Sequence, residues 1–148
     1  MRASTISLKT EQDIEKLRIS GRLAAEVLAM IGEHVKPGVT TEYLDDICND
    51  FIVNKLHVIP ANVGYYGYTK TTCISPNEVV CHGIPSATTV LKDGDIINID
   101  VAIIKDGYFG DTSRMYYVGT PSAEAKKLVE TTYEAMVAGI HAVKPGAT

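Results

Sequence analysis

The chain begins with a helical rhythm of apolar positions. Ile14, Leu17, Ala24, Val27, Leu28 and Ile31 recur near one turn apart, which predicts an amphipathic helix over residues 11–33. Thr10, followed three residues later by Asp13, has the form of a capping box with Asp in place of Glu. Lys36-Pro37-Gly38 ends that helix. Thr41 can cap a second helix over about 42–55, with Leu44, Ile47, Cys48 and Phe51 on its inner face. The rhythm then shortens. Runs around 57–59, 72–75, 78–81, 96–104 and 108–118 are bounded by Gly, Pro, Asn and Asp and predict strands. Between the first two, ANVGYYGYTK reads as a loop. A final helix is predicted over about 122–143, with Leu128, Val129, Thr132, Tyr133, Met136, Val137 and Ile140 as its buried stripe.

The end of the chain echoes an earlier segment. HAVKPGAT at 141–148 resembles EHVKPGVTT at 33–41, and aligning the two KPG triplets matches Glu134 with Glu26, Val143 with Val35 and Thr148 with Thr40. Both copies follow an amphipathic helix. The expectation is a helix–helix–strands unit over residues 1–121 that starts again at about residue 122.

The strand pair at 96–118 carries the first chemical signal. Asp106-Gly107 predicts a two-residue hairpin turn, because both central residues of a type I′ turn need positive φ. Lys105 then pairs with Tyr108, Ala102 with Asp111 and Asp100 with Ser113. Ile97, Ile99, Val101 and Ile103 point to one face, Asn98, Asp100 and Ala102 to the other. Asp111, opposite Ala102, shares the face of Asp100, so the two carboxylates are diagonal neighbours about 7–8 Å apart at the backbone. Like charges this close repel. A protonated carboxyl, a bridging basic group or a divalent cation could relieve them, or the face could simply be solvated. An EF-hand loop is excluded, since DGDIINID lacks the required glycine and terminal glutamate.

Composition narrows the class without changing this picture. The 148 residues are 45% hydrophobic and 22% charged, ordinary for a globular chain with a sizeable core. The net charge is −4 with no block of basic residues, which gives no nucleic-acid footprint. Three cysteines without a CxxC pair point to neither a disulfide framework nor a cysteine zinc site. The opening MRASTISLKTEQ lacks the apolar core of a signal peptide, and no apolar run approaches the roughly 20 residues of a membrane span. The expected location is the cytoplasm.

His82, between VVC and GIP, is either a structural residue at a strand end or a donor and acceptor facing a substrate. Tyr65, Tyr66 and Tyr68 are either surface tyrosines or a pocket wall with polar tips. Cys73 and Cys81 read as small buried hydrophobes.

Taken together, GRLAAEVL, VKPGVTT, GYYGY, CISPNEVVCHGIP, LKDGDIINIDV and KDGYFGDTSRM resemble the bacterial-type (type I) methionine aminopeptidases over essentially the whole chain. The resemblance implies an α+β pita-bread fold, an antiparallel sheet with helices on one face, of which this chain is about the first half. It implies that Asp100 and Asp111 are the first two ligands of a two-metal centre, Asp111 bridging, loaded with Co, Mn, Fe(II) or Zn. His82 corresponds to the histidine beside the scissile bond. Tyr65, Tyr68 and Cys73 correspond to the methionine side-chain pocket, and Asn77 and Val79 to a peripheral monovalent-cation site. Asn62 stands where relatives often carry Cys, which alters the pocket rim. The implied reaction is metal-assisted hydrolysis that removes Met from the N-terminus of nascent proteins, with the ribosome as a further partner and a monomeric complete enzyme. The family's other metal ligands, one His and two Glu, and a second catalytic His correspond to nothing in these 148 residues. The chain alone is therefore expected to bind metal weakly, to turn over little or not at all, and to self-associate. A pita-bread binding module without catalysis, or a prolidase or aminopeptidase P, are the competing readings.

Overall fold

The computed structural model describes residues 6–148. Met1–Thr5, which open the segment read above for a signal peptide, lie outside the described residues. Helix α1 spans Glu11–Ile31 behind a complete capping box: the Asp13 amide donates to Thr10 Oγ1 at 3.2 Å and the Thr10 amide to Asp13 Oδ2 at 2.9 Å. A tighter turn, Gly32–His34, follows. Helix α2, Thr41–Asp50, is capped by the Thr40 side chain rather than by Thr41, and widens into a π turn over Phe51–Lys55. Strands β1 (Ile59–Pro60), β2 (Thr72–Pro76), β3 (Ile96–Lys105) and β4 (Tyr108–Tyr117) precede helix α3 (Ala123–Ala142).

Strand β3 is the centre of the sheet. It pairs antiparallel with β4 along one edge, while β2 and the short β1 share the other. Asp106 and Gly107 both take positive φ (51° and 83°), as the type I′ turn requires, and Lys105 pairs with Tyr108 as the sequence predicts. The alternation on β3 is obeyed: Ile97, Ile99, Val101 and Ile103 are fully buried against Ala24, Val27 and Ile31 of α1 and Leu44 and Cys48 of α2. Both helices therefore cover one face and leave the Asp100 face free of them. The helix lies unusually close to the sheet at Gly110, where a Cβ would stand 2.2 Å from the Ser20 carbonyl oxygen. Ser20 Oγ donates to the Tyr108 carbonyl at 3.0 Å beside that approach.

Three expectations are corrected. Residues 78–81 are not a strand. The chain leaves the sheet at Asn77 (φ 48°), whose Nδ2 donates to Asp95 Oδ1 at 2.9 Å and whose Oδ1 accepts from the Ile96 amide at 3.1 Å. Those bonds fasten the exit turn to the start of β3 and remove 78–81 from pairing distance. Cys81, expected to be buried, is exposed on that loop, whereas Cys48 and Cys73 are buried. The stripe of α3 is not buried either: Leu128, Tyr133, Met136 and Ile140 are each more than half exposed. Among the described residues no other element packs over that face, so its amphipathic pattern has nothing to bury against.

The two KPG segments fold alike. Gly38 and Gly146 both have positive φ (89° and 83°), and the amides of Val39 and Ala147 donate to the carbonyls of Lys36 and Lys144 at 3.4 and 3.1 Å. No described helix is long and apolar enough to cross a membrane.

Candidate functional site

The hairpin register places Ala102 opposite Asp111 and Asp100 opposite Ser113. The carboxylates of Asp100 and Asp111 thus share the face away from the helices, as diagonal neighbours. Asp100 is half-buried and Asp111 exposed. Burial raises the Asp100 carboxyl above its ordinary value, Asp111 raises it further by repulsion, and His82 draws it back. Among the described residues neither carboxylate is held by a salt bridge or a side-chain hydrogen bond. The pair is therefore an uncompensated concentration of hard oxygen donors, and it fits a divalent cation. It is also incomplete, since the described residues hold no group of three or more His, Cys, Asp and Glu placed to bind one ion.

On its other edge Asp100 pairs with Cys73 of β2. Cys73 belongs to the wall of a cavity of about 470 Å³ lined by Asn62, Tyr65, Tyr66, Gly67, Tyr68, Cys73, His82 and Ile84. All five residues singled out for substrate contact, Asn62, Tyr65, Tyr68, Cys73 and His82, meet there, beside the carboxylate pair. The Tyr68 hydroxyl donates to the Thr72 carbonyl at 2.8 Å, and burial pushes it above the usual tyrosine range. Burial also raises the Cys73 thiol. Asn62 Nδ2 donates to the Thr71 carbonyl at 3.0 Å. The Tyr65 and Tyr66 rings meet edge to face at 4.7 Å between centroids.

His82 reaches the cavity from a loop rather than from a strand end, with φ of 55°. The loop is pinned to β2 just beyond it: the Ile74 amide donates to the Gly83 carbonyl at 2.9 Å and the Gly83 amide to Ser75 Oγ at 3.0 Å. A Cβ at Gly83 would lie 2.2 Å from the Ile74 carbonyl oxygen, so only glycine admits this contact. Asn77 and Val79 are not among these groups and line a second cavity of about 580 Å³.

One polar residue at the site escaped the sequence reading. Asp45 of α2 is 4% exposed, and its carboxylate accepts from the amides of Thr71 (3.1 Å) and Thr72 (2.7 Å) and from Thr72 Oγ1 (2.7 Å). The available signal was its place on the inner stripe of α2, four residues after Thr41 and three before Cys48, where a carboxylate needs partners.

Residues 15–148 match the profile of metallopeptidase family M24. The chain is 60% identical over 141 residues to the methionine aminopeptidase of Salmonella typhimurium, covering 95% of this chain and 53% of that protein. It superposes on the crystal structure of methionine aminopeptidase from Rickettsia prowazekii with a TM-score of 0.87 at 52% identity, covering 90% of this chain and 53% of that one. On the Thermotoga maritima methionine aminopeptidase the TM-score is 0.91 at 37% identity, covering 96% and 57%. The fold is the pita-bread fold of these structures, and the chain spans about half the length of the curated relatives it matches.

Proposed function

This chain belongs to metallopeptidase family M24, and from that premise we propose that the protein carrying it removes methionine from the N-terminus of peptides by metal-assisted hydrolysis. The observation that carries the reading is the juxtaposition of the Asp100–Asp111 pair with the cavity that gathers Asn62, Tyr65, Tyr68, Cys73 and His82. Asp100 and Asp111 would supply two of the carboxylate ligands for the divalent ions. The chemistry such ions bring is polarisation of a carbonyl and acidification of a water.

The chain's own residues do the rest of the positioning. Tyr65, Tyr68 and Cys73 offer aromatic and thiol surface to an unbranched thioether side chain, and Asn62 adds a polar rim. His82, fixed over β2 through Gly83, stands at the cavity to hydrogen-bond the carbonyl of the bond being cut. The pairing of Cys73 with Asp100 across one strand pair supports a side-chain pocket next to the metal ligands. Asn77 and Val79 would face a monovalent cation, with the Asn77 side chain bonded to Asp95 and to the Ile96 amide beside it. Residues 122–148 open a second, pseudo-symmetric unit, supported by the matching turns at Gly38 and Gly146.

The test is hydrolysis of Met-Ala-Ser against an Xaa-Pro peptide by the purified protein that carries this sequence, with Mn²⁺ and after chelation. Release of methionine that chelation abolishes supports the reading. Preferential cleavage before proline moves the protein to the prolidase class. Binding of Met-Ala-Ser without cleavage, in the presence of metal, makes it a binding module.

A further inference from the structure

The pocket wall hangs from two consecutive residues. The carbonyl of Thr71 accepts from Asn62 Nδ2 at 3.0 Å, and the carbonyl of Thr72 accepts from the Tyr68 hydroxyl at 2.8 Å. Cys73, which follows directly, lines the same cavity and pairs with Asp100. Three of the pocket residues are therefore oriented by the Thr71–Thr72 dipeptide. The amides of that dipeptide are gripped by one side chain. Asp45 Oδ1 accepts from the Thr71 amide at 3.1 Å, from the Thr72 amide at 2.7 Å and from Thr72 Oγ1 at 2.7 Å, while Oδ2 lies 3.3 Å from the Thr71 amide. Thr71 Oγ1 donates to Asn49 Oδ1 at 2.9 Å, one helical turn further along α2.

Simple packing does not need this arrangement. Burying a carboxylate is costly unless several donors converge on it. An apolar residue on the inner stripe of α2 would avoid that cost but leave the buried Thr71 and Thr72 amides without this acceptor. What the carboxylate supplies is direction: charge-assisted bonds to two consecutive amides fix both position and tilt of the strand end, with Asp45 itself on a rigid helix. Asp45 does not itself line the cavity.

We propose that Asp45 is a positioning residue for substrate binding: by holding the Thr71–Thr72 end of β2 it sets the placement of Asn62, Tyr68 and Cys73, and hence the fit of the N-terminal side chain. The proposal rests on the aminopeptidase reading for its substrate, but the grip itself is independent of that reading.

The test uses Asp45→Asn and Asp45→Ala in the whole protein that carries this chain. Asn keeps the shape and one acceptor oxygen, so it carries the test should the Ala variant fail to fold. In Asp45→Asn the KM for Met-Ala-Ser is expected to rise about tenfold with kcat within about twofold. Mn²⁺ affinity, read by calorimetry, stays unchanged. Hydrogen exchange at the Thr71 and Thr72 amides speeds up about tenfold, while β3 and β4 keep their protection. Unchanged exchange at Thr71 and Thr72 overturns the grip. Faster exchange with unchanged KM overturns the link to the pocket, and leaves Asp45 a stabilising residue only. If the parent protein does not cleave Met-Ala-Ser, the aminopeptidase reading fails by itself. The pocket claim is then read from alkylation of Cys73 in a Cys81→Ser background, expected to be faster in Asp45→Asn, and an unchanged rate overturns it.

Discussion

At the scale of single residues, the pairing of like charges is the feature that most needs a cause. Asp100 and Asp111 share one face without a described cationic partner, so removing one charge relieves repulsion in the folded chain. Asp111→Asn is expected to lower methionine release by at least about a hundredfold and to weaken Mn²⁺ binding, with a thermal midpoint equal to or above the parent's. A fall in midpoint matching the fall in activity would show a structural role instead. A second carboxylate gives a pH prediction. The Asp13 carboxylate accepts from the Tyr108 hydroxyl at 2.6 Å and from Thr10, and these bonds hold its pKa well below the usual range. A depressed pKa contributes stability that is present above the unfolded value, about 3.9, and is lost as pH falls from there toward the folded value. Urea midpoints measured below about pH 4 should therefore fall more steeply with pH in the parent than in Asp13→Asn.

At the scale of elements, two glycines set distances that no other residue allows. Gly110 lets the backbone of α1 approach β4, and Gly83 lets the His82 loop lie on β2. In each case a methyl group would fall 2.2 Å from a backbone oxygen, so a whole element must move. Gly110→Ala is expected to destabilise by about 1–3 kcal/mol, the usual cost of overpacking, measured by urea unfolding. Gly83→Ala should act differently: it lifts the loop that carries His82, lowering kcat for Met-Ala-Ser while Mn²⁺ affinity at Asp100 and Asp111 is retained. Loss of metal binding in that variant would place the damage elsewhere.

At the scale of the molecule, α1 and α3 make an instructive contrast. Both are amphipathic and both run into a KPG turn with positive φ at glycine. The apolar stripe of α1 is buried by the sheet, whereas Leu128, Tyr133, Met136 and Ile140 of α3 stay exposed. Exposed apolar stripes of this kind associate. The isolated 148-residue chain is expected to sediment as a concentration-dependent mixture, and replacing Leu128, Tyr133, Met136 and Ile140 by Ser should return it to monomer. Monodispersity of the unsubstituted chain at high concentration would contradict this.

The three long helices, the β3–β4 hairpin with its turn, and the shared face of Asp100 and Asp111 could be read from the amino-acid sequence. Each rests on local physics: helical or twofold periodicity, capping side chains, and the positive φ that Asp106-Gly107 supplies. Register propagates outward from the turn, so one dipeptide assigns ten residue pairs. Tertiary structure decided what depends on residues far apart in the chain. The run at 78–81 had strand composition, but Asn77 bonded to Asp95 and Ile96 draws it out of the sheet. The α3 stripe had the right period for burial, yet burial needs a surface to meet. Asp45 looked like any helical carboxylate until the amides of Thr71 and Thr72, twenty-six and twenty-seven residues away, closed on it. Periodicity and turn chemistry act over a few residues and can be read from neighbours; satisfying a buried charge or covering an apolar face requires partners that only the folded chain brings together.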